Sequence, residues 1–187
     1  MSEVKAKSKV MINTKNLVIT GMFTAIICVL SQVQIPIGTI PFSLGLFAVF
    51  LTGALLEPRF ALLSVMAYLL LGAVGLPVFA NFKGGIQALF GPTGGYLLSY
   101  PLVAFIISLF NSRIKKYRLA ILTFAMMLSL LLCYVLGTIW FSYVTGNSFI
   151  SALSICVFPF ILFDLAKIAL SVSLSMVIRK AVSKNMY

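Results

Sequence analysis

The stretch Leu76 to Tyr96, LPVFANFKGGIQALFGPTGGY, is the longest interruption in a sequence made otherwise of apolar runs. Gly84-Gly85 and Gly94-Gly95 permit backbone angles and close approaches that a Cβ forbids, while Pro77 and Pro92 break helical hydrogen bonding. Such a segment does not cross a bilayer as a helix. Irregular backbone at membrane depth persists only where protein buries it or water reaches it. The stretch is therefore expected to be a lid or binding loop between two spans, with a plain long connector as the alternative.

The rest of the chain sets the class. Of its 187 residues 61% are hydrophobic and 9% charged, and the mean hydropathy is +1.14. A soluble domain carries about 25% charged residues, so this composition implies an integral membrane protein. Apolar blocks long enough to cross a core of roughly 30 Å predict an all-α protein of six transmembrane helices. They run near Leu17 to Val33, Phe42 to Leu56, Phe60 to Gly75, Gly94 to Asn111, Leu119 to Val144 and Phe149 to Ile178. One transmembrane domain spans 1–187, with 1–16 as a basic tail. The first run is too long, and too poor in small-x-small sites, for a cleavable signal peptide.

The net charge of +11 is distributed by topology rather than for nucleic acid. Lys5, Lys7, Lys9 and Lys15 precede the first span, and Arg59 follows the second. Arg113, Lys115, Lys116 and Arg118 join the fourth to the fifth, and Arg179, Lys180 and Lys184 follow the sixth. With six spans all twelve share one face, which the positive-inside tendency makes cytoplasmic. Both termini are then inside, in the plasma membrane of a prokaryote, and the glycine-rich loop faces outward with Lys83.

Chemistry is scarce. The chain has no histidine, and its only acids are Glu3, Glu57 and Asp164. A metal cage, a histidine-dependent nucleophile or a carboxylate-pair hydrolase is hard to assemble from that inventory. No catalytic residue, metal or cofactor is expected. Cys28, Cys133 and Cys156 lie in apolar runs without metal-ligand spacing and read as small apolar residues. A GxxxxGK[ST] loop is missing as well, so the chain cannot hydrolyse ATP alone.

Around the glycine-rich loop, other segments suggest surfaces. Gly21 and Ala25 make a small-xxx-small pair on the first helix, where another helix can approach closely. Gln34 to Gly45 holds Pro36, Gly38 and Pro41, and reads as a turn or re-entrant piece on the same outer face as the glycine-rich loop. Backbone N–H groups from Gly91 to Gly95, at the start of the fourth helix, are placed to receive an anion or carbonyl. Trp140, the single tryptophan, reads as an interfacial belt residue.

Asp164 and Lys167 interrupt the last apolar run. Three residues apart, they share a helical face. Each costs roughly 2.5 to 3.5 kcal/mol at a bilayer centre, so an incidental pair is disfavoured. Fifteen residues separate Asp164 from Arg179, which at 1.5 Å per residue puts it about 22 Å above the inner end, in the outer half of the membrane. A clamp between helices is one reading of the pair. The other is a site for a small polar head bearing both N–H and C=O groups, walled by glycine-rich backbone and by Phe79, Phe82 and Tyr96.

The run GALLEPRFALLSVMAYLLLGAVGLPVFANFKGGIQALFGPTGGYL, with DLAK downstream at Asp164 to Lys167, resembles the BioY family, the biotin-specific S-components of energy-coupling factor (ECF) transporters. The likeness extends from Pro41 to about Ser173, and its motifs are jointly specific. It implies a six-helix S-component fold that captures biotin from outside and docks on a membrane coupling subunit driven by two cytoplasmic ATPases. By resemblance Asp164 and Lys167 take the ligand head group. The loop with Asn81, Lys83, Gln87, Gly91, Thr93, Gly94 and Tyr96 supplies the wall and lid, Ser43 a hydroxyl, and Gly21 with Ala25 the coupling-subunit contact. Two positions depart from the family's habit: Gly45 stands where an amide side chain is frequent, and Phe163 where glycine often precedes the aspartate. A self-sufficient proton-coupled carrier using Asp164 is the alternative, which the pairing with Lys167 disfavours.

Overall fold

A computed structural model describes residues 14–37, 40–113 and 118–184. Most of the basic stretch 1–16 therefore lies outside the described residues, and its last part, from Thr14, already belongs to a helix. The elements in order are α1 (Thr14–Gln32), β1 (Gln34–Ile37), β2 (Ile40–Ser43), α2 (Gly45–Leu55) and α3 (Pro58–Ala73). A 3₁₀ turn (Ala80–Phe82) and the short α4 (Ile86–Phe90) precede α5 (Gly94–Arg113), α6 (Arg118–Thr145), α7 (Phe149–Cys156) and α8 (Ile161–Lys184). Helices α1, α5, α6 and α8 are long and apolar enough to cross a membrane, while α2 and α3 are shorter apolar helices.

The bundle is mostly helical, but two expected features differ. Gln34 to Gly45 is no simple turn: β1 and β2 form an antiparallel hairpin in which Pro36 is opposite Pro41. A two-stranded ribbon has an unpaired edge on each side, and there a proline removes no sheet hydrogen bond that matters. The last expected span, Phe149 to Ile178, is two helices. Pro159 sits in the turn between α7 and α8, where its ring and missing N–H stop the first helix. The helix then restarts as α8 three residues before Asp164.

The core lies where α2, α3 and α5 meet. Val49, Phe50, Val65, Val103 and Ile107 are wholly buried there, joined by Leu122 and Met126 of α6. Few charges enter it, and polar groups satisfy themselves locally or across helices. Ser64 Oγ donates to the Thr20 carbonyl, and Thr24 Oγ1 to the Ser64 carbonyl, which ties α1 to α3. At the end carrying the helix termini, the carbonyl of Ala54 accepts from Asn111 Nδ2 (2.9 Å) and from Arg179 Nη2. Carbonyls left over at the α2 C-terminus are thus capped by α5 and α8.

The glycine-rich segment is folded rather than slack. Gly85 N–H donates to the Gly72 carbonyl at 2.7 Å, returning the segment to the end of α3. Gly85 has φ +89°, which favours glycine. Trp140 is half-buried and donates from Nε1 to the Gly91 carbonyl at 2.9 Å, so it works as a tether for the loop rather than as a free belt residue. A Cβ on Gly95 would collide with the Trp140 side chain. Glycine there is the condition for the tether.

Candidate functional site

Beneath the hairpin and the glycine-rich segment lies a cavity of about 340 Å³, within the roughly 300–1,000 Å³ of ligand pockets. Its polar end is Asp164 and Lys167, both nearly fully buried, at 4% and 5% exposure. One helical turn of α8 brings Lys167 Nζ to 2.8 Å from Asp164 Oδ1. Tyr134 of α6 donates its hydroxyl to Asp164 Oδ2 at 2.5 Å. The ammonium also stands 4.0 Å from the centroid of the Phe42 ring, carried in by β2. A lysine has three N–H donors and a carboxylate several acceptor positions, so the pair keeps capacity for a ligand bearing both kinds of group.

Aromatic and small side chains form the rest of the wall. Tyr68 and Phe79 meet edge to face at 5.4 Å, and Tyr68 OH accepts from Ser31 Oγ at 3.1 Å. Tyr96 shares a 3.2 Å hydrogen bond with Thr138. Cys133 and Cys156 also line the cavity. Both are buried, as expected of small apolar residues, but they face the site rather than lipid.

The cover is latched to α1. Gln32 Nε2 donates to the carbonyls of Pro77 and Phe79, each at 3.1 Å, and its Oε1 accepts from Phe82 N–H at 3.1 Å. Gln34 of the hairpin donates to Asn81 Oδ1 at 2.7 Å. These bonds hold Asn81 and Phe82 at φ 63° and 53°, a region that asparagine tolerates and phenylalanine resists. The two irregular segments, both expected on the outer face, are therefore joined side chain to side chain.

Of the residues expected at the site, Ser43, Asn81, Lys83, Thr93, Tyr96, Asp164 and Lys167 line this one cavity. Gln87, Gly91 and Gly94 are set back from it. The Gly91 carbonyl is taken by Trp140 and by Gly94 N–H (2.9 Å), so the Gly94 donor is spent within the turn. Gln87 is exposed and lies against Gly85. Phe82, expected in the wall, is 70% exposed. Gly45 is buried against α1, where a Cβ would stand 2.7 Å from Ser31 Oγ. Phe163 packs on Phe42 in a tilted arrangement, ring centroids 5.0 Å apart, and does not line the cavity. Gly21 and Ala25 are both exposed, on the side of α1 turned away from the bundle.

Sequence reasoning missed Tyr134, Tyr68 and Tyr100, all three of which line the cavity. A signal was present: Tyr96 and Tyr100 are four apart on α5 and share a face, and each hydroxyl in an apolar span needs a partner.

An apolar helical bundle, a partly covered cavity at one end and a charged pair inside it together define a membrane protein that accommodates a small ligand. The model of the BioY family matches residues 4–184, and the chain belongs to that family. It is 40% identical over 166 residues to the biotin transporter BioY of Thermotoga maritima, covering 89% of this chain and 96% of that one. The probable biotin transporter BioY of Pyrococcus horikoshii is 35% identical over 158 residues, covering 84% and 92%. The crystal structure of the S-component for biotin from an ECF-type ABC transporter superposes with a TM-score of 0.83 at 30% identity, covering 89% of this chain and 91% of that one.

Proposed function

We propose that this chain is the biotin-capturing S-component of an ECF-type transporter, and performs no chemistry on its ligand. The observation that carries the reading is the ion pair Asp164–Lys167, buried in a cavity of ligand size. Biotin's ureido ring offers two N–H groups and one carbonyl. Asp164 accepts from the N–H side and Lys167 donates to the carbonyl. The apolar ring sulfur and valeryl chain lie along the Tyr68, Phe79 and Tyr96 wall, and the tail carboxylate points to the cover, where Asn81, Lys83, Thr93 and Ser43 offer donors.

The four long helices and the shorter α2 and α3 make six crossings, with both termini cytoplasmic and the cover outside. The exposed Gly21 and Ala25 form the close-approach surface for a membrane coupling subunit, which two cytoplasmic ATPases drive. Among the described residues no charged path leads from the cavity to the inner end. Release therefore proceeds by reorientation or distortion of the whole protein on its coupling partner.

Purified chain in detergent is expected to bind one labelled biotin without ATP or a pH gradient. Absence of binding by folded protein would remove this reading.

A further inference from the structure

At the bundle end opposite the cavity stand two arginines that, among the described residues, have no carboxylate partner. Arg118 opens α6 and Arg179 lies near the end of α8; counted from the Tyr134–Asp164 bond that joins these helices they stand about 24 and 22 Å along, at a common level, where their like charges repel. Both side chains are half-buried, and the Nε–H of each is buried without a hydrogen-bond partner. Arg179 spends one Nη2–H on the Ala54 carbonyl. Among the described residues neither arginine is ion-paired with a carboxylate. Glu57 pairs with neither, and Asp164 is committed to Lys167 about 22 Å away along α8.

Two partly desolvated like charges at close quarters are unfavourable unless a counter-charge joins them. A guanidinium presents Nε–H and Nη–H along one edge, the fork that a phosphate accepts with two oxygens. We propose that Arg118 and Arg179 form a site for the phosphate of one anionic lipid headgroup, held between the ends of α6 and α8. The lipid source is favoured over free phosphate because these helix ends lie at the level of the headgroups, where lipid phosphate is concentrated and basic interhelical pockets bind it. Arg113 stands exposed on the same rim and adds to the attraction. The bound phosphate would bridge the two helices and relieve the repulsion between the arginines.

Native mass spectrometry of the full chain with phosphatidylglycerol and, separately, phosphatidylcholine tests this directly. One phosphatidylglycerol should be retained at least about tenfold better than phosphatidylcholine, and Arg118→Gln should remove that preference, since a lost charged hydrogen-bond partner costs about that factor. Arg118→Lys, which keeps the charge but not the fork, should fall between. Biotin binding reports folding of each variant, because neither arginine lines the cavity. Equal retention of the two lipids by the parent, which needs no variant, would overturn the proposal. So would a folded Arg118→Gln that keeps the preference. Displacement of the lipid by millimolar inorganic phosphate would show a free-anion site and overturn the lipid assignment.

Discussion

Tyr134 and Asp164 meet across the α6–α8 boundary, the phenol donating to carboxylate Oδ2 at 2.5 Å while Lys167 holds Oδ1 at 2.8 Å. The carboxylate is thus gripped from a neighbouring helix and from its own. Its orientation toward the cavity is set before any ligand arrives, which reduces the ordering cost of binding.

Tyr134→Phe removes the hydroxyl and keeps the ring. If that bond orients Asp164, biotin affinity should fall about tenfold, the usual worth of a hydrogen bond to a charged group. Calorimetric titration of parent and variant measures it. Unchanged affinity would mean that Lys167 alone positions the carboxylate.

Asp164→Asn and Lys167→Met each remove one charge and strand the other. Each should weaken biotin binding by about 1.5 to 3 kcal/mol, or roughly ten- to hundredfold. Measured beside the singles, the double variant separates ligand contact from the pair's own coupling. Should folded singles bind as the parent does, the pair is a helix clamp and nothing more.

Gln32 makes three hydrogen bonds to the cover, at Pro77, Phe79 and Phe82. Gln32→Ala should leave the cavity's own side chains in place and free the cover. Affinity changes among variants of one site reside mostly in dissociation, so the release rate of labelled biotin should rise several-fold with little change in association. A release rate equal to the parent's would argue that the cover does not gate exit.

Trp140→Phe tests the second latch. It deletes the bond to the Gly91 carbonyl while preserving most of the packing on Gly95 and Phe90, whose ring centroid is 6.3 Å away. Hydrogen exchange at residues 91–95 should accelerate, because a backbone held by fewer bonds opens more readily. No change in exchange would show that packing alone fixes this turn.

Much of this architecture was legible in the sequence because hydropathy and charge record the membrane directly. The apolar blocks located the long helices, and two charges in an apolar run pointed to the buried pair that lines the cavity. What stayed hidden depends on tertiary neighbours or on local breaks that hydropathy does not register. Pro159 divides a run that remains apolar on both sides, so α7 and α8 read as one span. The hairpin around residues 34–43 was obscured by its own prolines, which argue against a strand unless both lie in a two-stranded ribbon. Tyr134 is 30 residues from Asp164 and Trp140 is 49 from Gly91, so neither partnership has a local signature. Gly91 and Gly94 looked like open backbone donors; a loop's composition does not say that the Gly94 N–H will turn back on the Gly91 carbonyl, or that a distant indole will share that carbonyl.

The most direct test of the central claim is a structure of the chain with biotin bound. The ureido ring should lie in the cavity with its N–H groups facing Asp164 and its carbonyl oxygen facing Lys167 Nζ, within about 3.2 Å of those groups. A ligand bound with its carboxylate on Lys167 and its ring under the cover, or bound outside the cavity altogether, would contradict it.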